Sequence, residues 1–549
     1  MTPAAVVFHA DAVETPGKDL VGRRSAGQSF LRGWLTHAAG DRLCALTETA
    51  KAAETLRSLA EEMRIDRPLE IRTIAAGDAF TDLGTIFFPG PGYLDCAWLR
   101  QRTGASTCSL VGITHTVSTR RVLSGLNRLL SEPVQPWDAV ICTSPAVQRT
   151  VATQLEASRR YLSDRFGTDR VPMPQLPVIP LGIHAGDFAP RPGARDRMRA
   201  RYGAGEAFVV MSMGRITSVE KANPVPLYLA LEAVAQALGR PVHLWQVGWA
   251  SRDEEEALHR EGAAAICPSV RVTRIDGRAA EVRRDIWAGA DVFTLPVDNV
   301  QETFGLVPVE AMAAGLPVVM PDWDGFRATI RHGETGLLIP TRMPAPGGAI
   351  GPELAARYAD GRDGYLAHLA LLQQQTQVDV PAYMQALLSL AQDPGLRARM
   401  GAAGRGHVAA HLDWSAVIPC YQRLADRLAE LREGTPPAPG PMPLQIDPFT
   451  LYAGYPSEPV TPDWTFTAIG TLDEAGLRAL DALNGRTLYN RKQTADGRVV
   501  ELLRAGARTG PAPIADLARR IGMRPDIATG TALFVAKYGY AQLTPPRSE

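Results

Sequence analysis

One segment of the chain concentrates residue types that act on anions and hydroxyls: Gln301-Glu302-Thr303-Phe304-Gly305-Leu306-Val307-Pro308-Val309-Glu310, running on to Gly315. It lies between two apolar runs, Asp291–Leu295 and Pro317–Met320, that read as strands. Pro308 is placed to start a helix and Gly315 to end it. Glu302 then sits in the loop at the carboxyl end of a strand, and Glu310 falls in the helix's first turn. About 80° of helical rotation would separate them, so they do not form a one-face pair. The amides of Phe304, Gly305 and Leu306 point where the positive end of the helix dipole meets an anion. This arrangement suits a sugar diphosphate. An acidic residue in a first helical turn is also an ordinary helix stabiliser, so Glu310 alone would not carry the reading.

The elements that must hold this segment are short apolar runs alternating with helical patterns: 5–8, 85–88, 109–113 and 139–143, then 208–211, 242–247, 292–295 and 317–320. Such alternation implies parallel sheets covered on both faces, and the runs fall into two groups. Val178-Ile179-Pro180-Leu181-Gly182-Ile183 and the Pro/Gly/Arg-rich stretch after it read as the connection between two lobes, with the boundary near 190–205. A helical region, 352–431, closes the second lobe. The Pro-rich stretch Gly434-Thr435-Pro436-Pro437-Ala438-Pro439-Gly440-Pro441-Met442-Pro443 buries little and reads as a linker, assigned to 434–446. Beyond it, 447–549 reads as a mainly helical, winged-helix-like accessory domain, with helices expected at 474–483, 497–505, 513–521 and 528–538. The fold class is therefore α/β: two Rossmann-like doubly wound lobes and a small, mainly helical C-terminal domain.

Composition narrows the function. The 549 residues carry 58 basic and 58 acidic side chains, a formal net charge of zero. That is not the footprint of a dedicated nucleic-acid binder. Between Asp447 and Glu549 there are 12 basic and 11 acidic residues, about +1, so the tail reads as a site for a protein partner or for acceptor recognition rather than for nucleic acid. Six scattered cysteines with no C-x-x-C suggest buried free thiols in a reducing compartment. No stretch approaches a membrane span or shows a cleavable leader, which reads as cytoplasmic. The pairs Arg23-Arg24 and Arg120-Arg121 leave peripheral membrane association open.

The E-x7-E element Glu302-Thr303-Phe304-Gly305-Leu306-Val307-Pro308-Val309-Glu310 resembles that of retaining glycosyltransferases of family 4, which have the GT-B fold of two facing Rossmann-like domains. The resemblance covers about residues 1–433. It implies that Glu302 contacts donor-sugar hydroxyls and Glu310 the ribose hydroxyls of the nucleotide, with Phe304, Gly305 and Leu306 at the diphosphate. The loop Met213-Gly214-Arg215-Ile216-Thr217-Ser218-Val219-Glu220-Lys221 is similar to the family's G-R-L-…-E-K-G loop, which implies that Arg215 and Lys221 neutralise the diphosphate. One extra residue separates that arginine and lysine, and Ala222 replaces the usual glycine. Only five residues of the chain are lysines (Lys18, Lys51, Lys221, Lys492 and Lys537), so a lysine at this position is not incidental. Two fixed cations there stabilise charge that grows as the glycosidic bond breaks.

Further matches keep the family's order. Gln246-Val247-Gly248 resembles its V-G turn, where glycine lets the backbone approach the ligand. The segments 179–184, 141–144 and 414–428 resemble the hinge, the first lobe's last strand and the helix, assigned to 411–433, that crosses back. Gly112-Ile113-Thr114-His115 ends a strand where the family has a histidine near the reacting sugar, implying His115. The segment 20–30 resembles the glycine-rich loop after the first strand, implying Gly22, Gly27 and Arg24 near the diphosphate. Asp322-Trp323-Asp324 reads as a turn before Gly325 rather than a metal site, and Ala328 stands where the family often has a glutamate. Gly90-Pro91-Gly92 lacks a third glycine, which argues against a dinucleotide fingerprint.

The resemblance implies a retaining hexosyltransferase that needs no metal and no cofactor, takes a UDP- or GDP-sugar as substrate, and glycosylates a carbohydrate, lipid-linked or peptide acceptor. The alternative is a nucleotide-sugar-binding scaffold without transfer, working through its C-terminal domain. The domain expectation is an acceptor lobe over 1–190 and a nucleotide-sugar lobe over 204–410.

Overall fold

A computed structural model describes residues 2–9, 22–76, 78–443, 445–471, 475–476 and 496–546. The chain divides into two compact units, Met1–Met442 and Pro443–Glu549.

In the first unit, β1 (Ala4–Phe8), β2 (Leu43–Thr47), β3 (Leu69–Thr73), β4 (Thr85–Phe87), β5 (Ser109–Ile113) and β6 (Ala139–Ile141) form one sheet in the order β3-β2-β1-β4-β5-β6. Every pairing in it is parallel. A second sheet contains β7 (Phe208–Met213), β8 (Val242–Val247), β9 (Val270–Ile275), β10 (Val292–Thr294), β11 (Val318–Pro321) and β12 (Gly336–Ile339), ordered β12-β11-β10-β7-β8-β9 and again all parallel. Both have the doubly wound order of a Rossmann fold. Consecutive strand residues enter opposite cores. Val7 and Leu46 pack on one side of the first sheet, Val6 and Phe87 on the other. Met211 and Phe293 face one core of the second sheet, Val210 and Leu244 the other. Burial on both faces is why these strands read as continuous apolar runs.

The lobes are joined twice. The helix Ala194–Arg201 places Met198 in the core of the second sheet and ion-pairs Arg195 and Arg199 with Asp291, so the second lobe takes up the chain ahead of residue 204. The helix Trp414–Arg432 returns to the first sheet, burying Trp414, Val417, Tyr421 and Leu424 beside Trp34 and Phe87. The Trp414 indole N–H donates to Ser29 Oγ at 2.7 Å. The Pro-rich stretch after this helix is irregular and lies on the first lobe, where the Gly440 N–H donates to the Gln101 carbonyl at 2.9 Å.

The expected helical region beyond the second sheet is interrupted. Between β12 and the helix Val380–Gln392 the chain makes an excursion, closed at its base by β13 (Thr341–Arg342) pairing antiparallel with β14 (Gln377–Val378). The excursion carries the helices Ile350–Ala359 and Tyr365–Gln374.

The second unit contains β15 (Thr465–Ala468), β16 (Ala512–Pro513) and β17 (Ala541–Thr544) in a sheet ordered β16-β15-β17. The helices Asp496–Thr509, Ile514–Arg520 and Pro525–Lys537 pack on it around Phe466, Leu502, Leu517 and Val535. The described part of the small domain is mainly helical, as expected, and its helices pack on a short three-stranded sheet. Its strands are two to four residues long, too short for a period-2 pattern to stand out. The helix expected at 474–483 lies almost wholly outside the described residues.

Candidate functional site

In the second sheet β7 and β10 are neighbours, and their following loops diverge, opening the crevice at the strands' carboxyl ends where ligands of such sheets bind. The loop after β7 begins with Gly214, whose N–H donates to the Val247 carbonyl at 3.0 Å. A Cβ on Gly248 would lie 1.8 Å from the Gly214 carbonyl oxygen, so only glycine lets these two strand ends meet. Side chains lace this loop to the one after β10. Asn299 Nδ2 donates to the Lys221 carbonyl at 2.9 Å, Gln301 Nε2 to the Glu220 carbonyl at 2.9 Å, and the Asn223 N–H to Asp298 Oδ1 at 3.1 Å.

That lacing brings Lys221 Nζ to 3.0 Å from Glu302 Oε2, while Arg215 pairs with Glu220 at 3.3 Å. Four charges form two ion pairs on one crevice wall. Each cation has a carboxylate partner that an incoming diphosphate could displace or share.

The helix after Glu302 differs from the expected one in its start. It runs Leu306–Ala313, two residues ahead of Pro308, and Glu310 therefore stands in its second turn rather than its first. Gly305 sets the start: it has φ +83°, and a Cβ there would lie 2.1 Å from Cε1 of the buried Phe326 ring. Pro308 is tolerated because the first four helical N–H groups have no intrahelical acceptor. No side chain caps this end. Of the amides expected to face an anion, that of Phe304 is turned to Glu302 Oε1, at 3.5 Å, beside the Thr303 amide at 3.2 Å. Phe304 itself is buried in the core, and Leu306 is half-buried.

Electrostatics separates the two glutamates. Burial pushes the Glu302 carboxyl up, but the Lys221 ammonium, its hydrogen bond and those of the Thr303 and Phe304 amides outweigh this and hold it below its ordinary value. Glu310 has only the more distant Lys221 and Arg283 charges, and burial pushes it up to about 7. Asp298, buried and bonded to Gln373 Nε2 at 2.6 Å, is also pushed up to about 7 by burial.

Among the described residues, the first lobe meets this wall through neutral groups. Thr303 Oγ1 donates to the His115 carbonyl at 2.5 Å, and Thr143 Oγ1 donates to the Thr303 carbonyl at 3.2 Å. His115 follows β5, and its ring Nε2 lies 2.5 Å from the Pro89 carbonyl, to which it donates. Ser144, the N-cap of the helix Pro145–Phe166, donates its hydroxyl to Asp324 Oδ1 at 2.8 Å. Gly22 and Gly27 are not loop residues: the chain is helical from Gly22 to His37, placing Gly27 in the second turn. Residues 10–21 and the side chains of Arg23 and Arg24 lie outside the described residues. In the D-x-D segment, Asp322 pairs with Arg327 at 2.9 Å while Asp324 turns to Ser144. Among the described residues no group of three or more His, Cys, Asp or Glu side chains is placed to hold a metal, and no helix is long and apolar enough to cross a membrane. Arg120, considered for lipid contact, stacks its guanidinium 4.7 Å from the Tyr358 ring centroid.

Sequence reasoning did not single out Asp298 or Asn299, gave no role to Glu220 or Gln301 within the motifs that contain them, and read Asp324 only as a turn residue. The available signal was the run of polar residues Asp298-Asn299 directly after an apolar strand, where a buried polar pair must be satisfied by a neighbouring loop.

Two Rossmann-like lobes in one unit, with a charged cluster at the second lobe's switch point, define a protein of the GT-B architecture. Residues 207–346 match the family described as Glycosyl transferases group 1, and the chain thus carries a domain of that family. It is 28% identical over 261 residues to a D-inositol 3-phosphate glycosyltransferase of Rhodococcus erythropolis, covering 45% of this chain and 57% of that protein. It is 29% identical over 325 residues to a phosphatidyl-myo-inositol mannosyltransferase of Mycobacterium leprae, covering 58% and 67% respectively. It is 30% identical over 281 residues to a GDP-mannose-dependent alpha-(1-6)-phosphatidylinositol monomannoside mannosyltransferase of Mycolicibacterium smegmatis, covering 50% and 60%. The chain spans a little over half the length of the first of these relatives. Among solved structures, a sucrose-phosphate synthase from Thermosynechococcus elongatus superposes with a TM-score of 0.48 at 20% identity, over 78% of this chain and 100% of that one.

Proposed function

We propose that the chain is a retaining glycosyltransferase that moves a sugar from a UDP- or GDP-sugar to an acceptor hydroxyl. The observation that carries this reading is the Lys221–Glu302 pair, 3.0 Å apart at the switch point of the lobe with the family match. Lys221 and Arg215 take the diphosphate, Glu302 accepts from donor-sugar hydroxyls, and Glu310 accepts from the ribose. Gly214, Gly248, Gly305 and Leu306 allow the backbone close to the phosphates, and His115 meets the sugar from the first lobe. In the transfer the anomeric carbon–phosphate oxygen bond breaks as the carbon–acceptor oxygen bond forms on the same face. The acceptor's proton passes to the departing phosphate oxygen. Lys221 and Arg215 stabilise the negative charge that accumulates on the leaving group, which is selective for the transition state. The lobe-to-lobe bonds through Thr143, Ser144 and Thr303 support water exclusion while the site is closed.

The test is nucleoside diphosphate release from a panel of UDP- and GDP-sugars, with thermal shift read in parallel. A cognate donor at 100 times its Kd should add about 2.7 kcal/mol of stability. Release with one donor class supports the reading. Neither shift nor release with any donor overturns it.

A further inference from the structure

A cavity of about 530 Å³ lies beside the site, within the range of small-molecule pockets, and Glu302 and Asp324 both line it. Three parts of the fold make its walls. The first lobe gives Val117, Leu123 and Val147, the second sheet gives Trp323 and Asp324, and the excursion between β12 and the helix Val380–Gln392 gives Met343, Tyr358 and His368.

The excursion is fastened over the first lobe. The Tyr358 hydroxyl accepts from the Arg120 N–H at 3.1 Å and donates to the Ser118 carbonyl at 3.3 Å. The Tyr365 hydroxyl lies 2.9 Å from Ser118 Oγ and donates to Gln301 Oε1 at 2.9 Å, tying the excursion to the loop that carries Glu302.

Much of the polar reach of the walls is spent elsewhere, His368 Nδ1 excepted, which is buried without a hydrogen-bond partner among the described residues. The Trp323 indole N–H donates to the Asn299 carbonyl at 2.9 Å, and the ring lies between the second-sheet core and the cavity it lines. Tyr358 stacks on His368 with centroids 4.0 Å apart and planes 6° from parallel. Both guanidiniums that line the cavity are paired, Arg327 with Asp322 and Arg342 with Asp379, each at 2.9 Å. Asp324 is held at φ +38°, a left-handed conformation uncommon outside glycine, and only its Oδ1 is engaged, by Ser144. Its other oxygen has no hydrogen-bond partner among the described residues. Apolar and aromatic surface, with both lining guanidiniums already paired and Glu302 paired with Lys221, offers an anion no unpaired arginine or lysine among the described lining residues and suits one hydroxyl on an apolar body.

We propose that this cavity is the acceptor subsite and that it takes an uncharged aromatic or alicyclic alcohol, its hydroxyl held by Asp324 beside Glu302 and its ring packed between Trp323 and the Tyr358–His368 stack. The word acceptor rests on the transferase reading above. The chemical class rests on the cavity alone. Since the excursion supplies one wall, acceptor choice is set by a segment outside the doubly wound core.

The test is direct binding of 1-naphthol to the full chain by calorimetry, against myo-inositol 1-phosphate as the anionic comparison, in wild type, Met343→Asp and Tyr358→Ala. Met343 is 43% exposed, so that variant is expected to fold even if Tyr358→Ala does not, and UDP and GDP binding report integrity in each. The expected result is saturable naphthol binding, weakened about 10-fold or more in both variants, the scale of losing an apolar contact. Absence of naphthol binding, or equal binding in wild type and Met343→Asp, overturns the proposal. So does inositol phosphate binding more tightly than naphthol with the same sensitivity to the variants. Failure of the transferase reading has a different signature: naphthol binding that Met343→Asp weakens, with no diphosphate release from any donor.

Discussion

The two sheets share one strand order, but the chain does different things with their carboxyl ends. Between β7 and β10 the second sheet opens onto Arg215, Glu220, Lys221 and Glu302, joined in two ion pairs, with Glu310 behind them. Beside β4 the first sheet ends in Phe88-Pro89-Gly90-Pro91-Gly92, and its described contacts to the crevice are carbonyls, hydroxyls and the His115 ring. Strand order fixes where a crevice forms, and the loops decide its chemistry. Among the described residues a charged wall thus faces a neutral one, and on the proposed reading a diphosphate is gripped from the second lobe.

That asymmetry breaks most visibly at Lys221. Replacing Lys221 with Ala should lower turnover roughly 10²-fold or more, the scale of losing a preorganised charge donor, as read by diphosphate release under saturating donor. Near-normal turnover would remove the cation from the mechanism. Next in size, Glu310→Ala should raise the donor KM by about 10-fold with a smaller change in kcat, the signature of lost binding common to ground and transition states. An unchanged KM would leave the second glutamate without a ligand role.

Asp298 sharpens the comparison through pH. Its carboxyl is pushed up to about 7 in the folded chain, against roughly 3.9 when unfolded. Over that window the folded state binds more protons, so stability falls as pH rises from about 4 to about 7. Asp298→Asn, which keeps the oxygen facing Asn223 and Gln373, should flatten the dependence of Tm on pH over that range. An unaltered slope would contradict the assignment. The smallest effect belongs to the neutral wall. Ser144→Ala removes the hydroxyl bond to Asp324 together with the N-cap bond from the Val147 N–H and should cost about 1–2 kcal/mol in urea unfolding of the full chain.

Much of the fold was legible, and the gaps have physical causes. β5 and β8 appear in the sequence as fully buried apolar runs, Ser-Leu-Val-Gly-Ile and Val-His-Leu-Trp-Gln-Val. β3 and β9 are edge strands carrying Glu70, Arg72, Arg271 and Arg274, so their alternation is diluted by polar residues. β2 is buried throughout but reads Leu-Cys-Ala-Leu-Thr, with one β-branched residue, and suits a helix as well. At the site, Glu302, Lys221 and Arg215 stood out by motif, whereas Asp298 and Gln301 matter through bonds to the other loop. The excursion's role was out of reach of pattern reading altogether: Tyr358 meets Ser118 across 240 residues of sequence.

Amide hydrogen exchange on the full chain, with and without UDP or GDP, tests the charged-wall account most directly. The account predicts nucleotide-dependent protection centred on the two second-lobe loops, 214–223 and 298–306, and on the start of the helix Leu306–Ala313. Protection confined to the first lobe's loops after β4 and β5, or none with either nucleotide at saturating concentration, would contradict it.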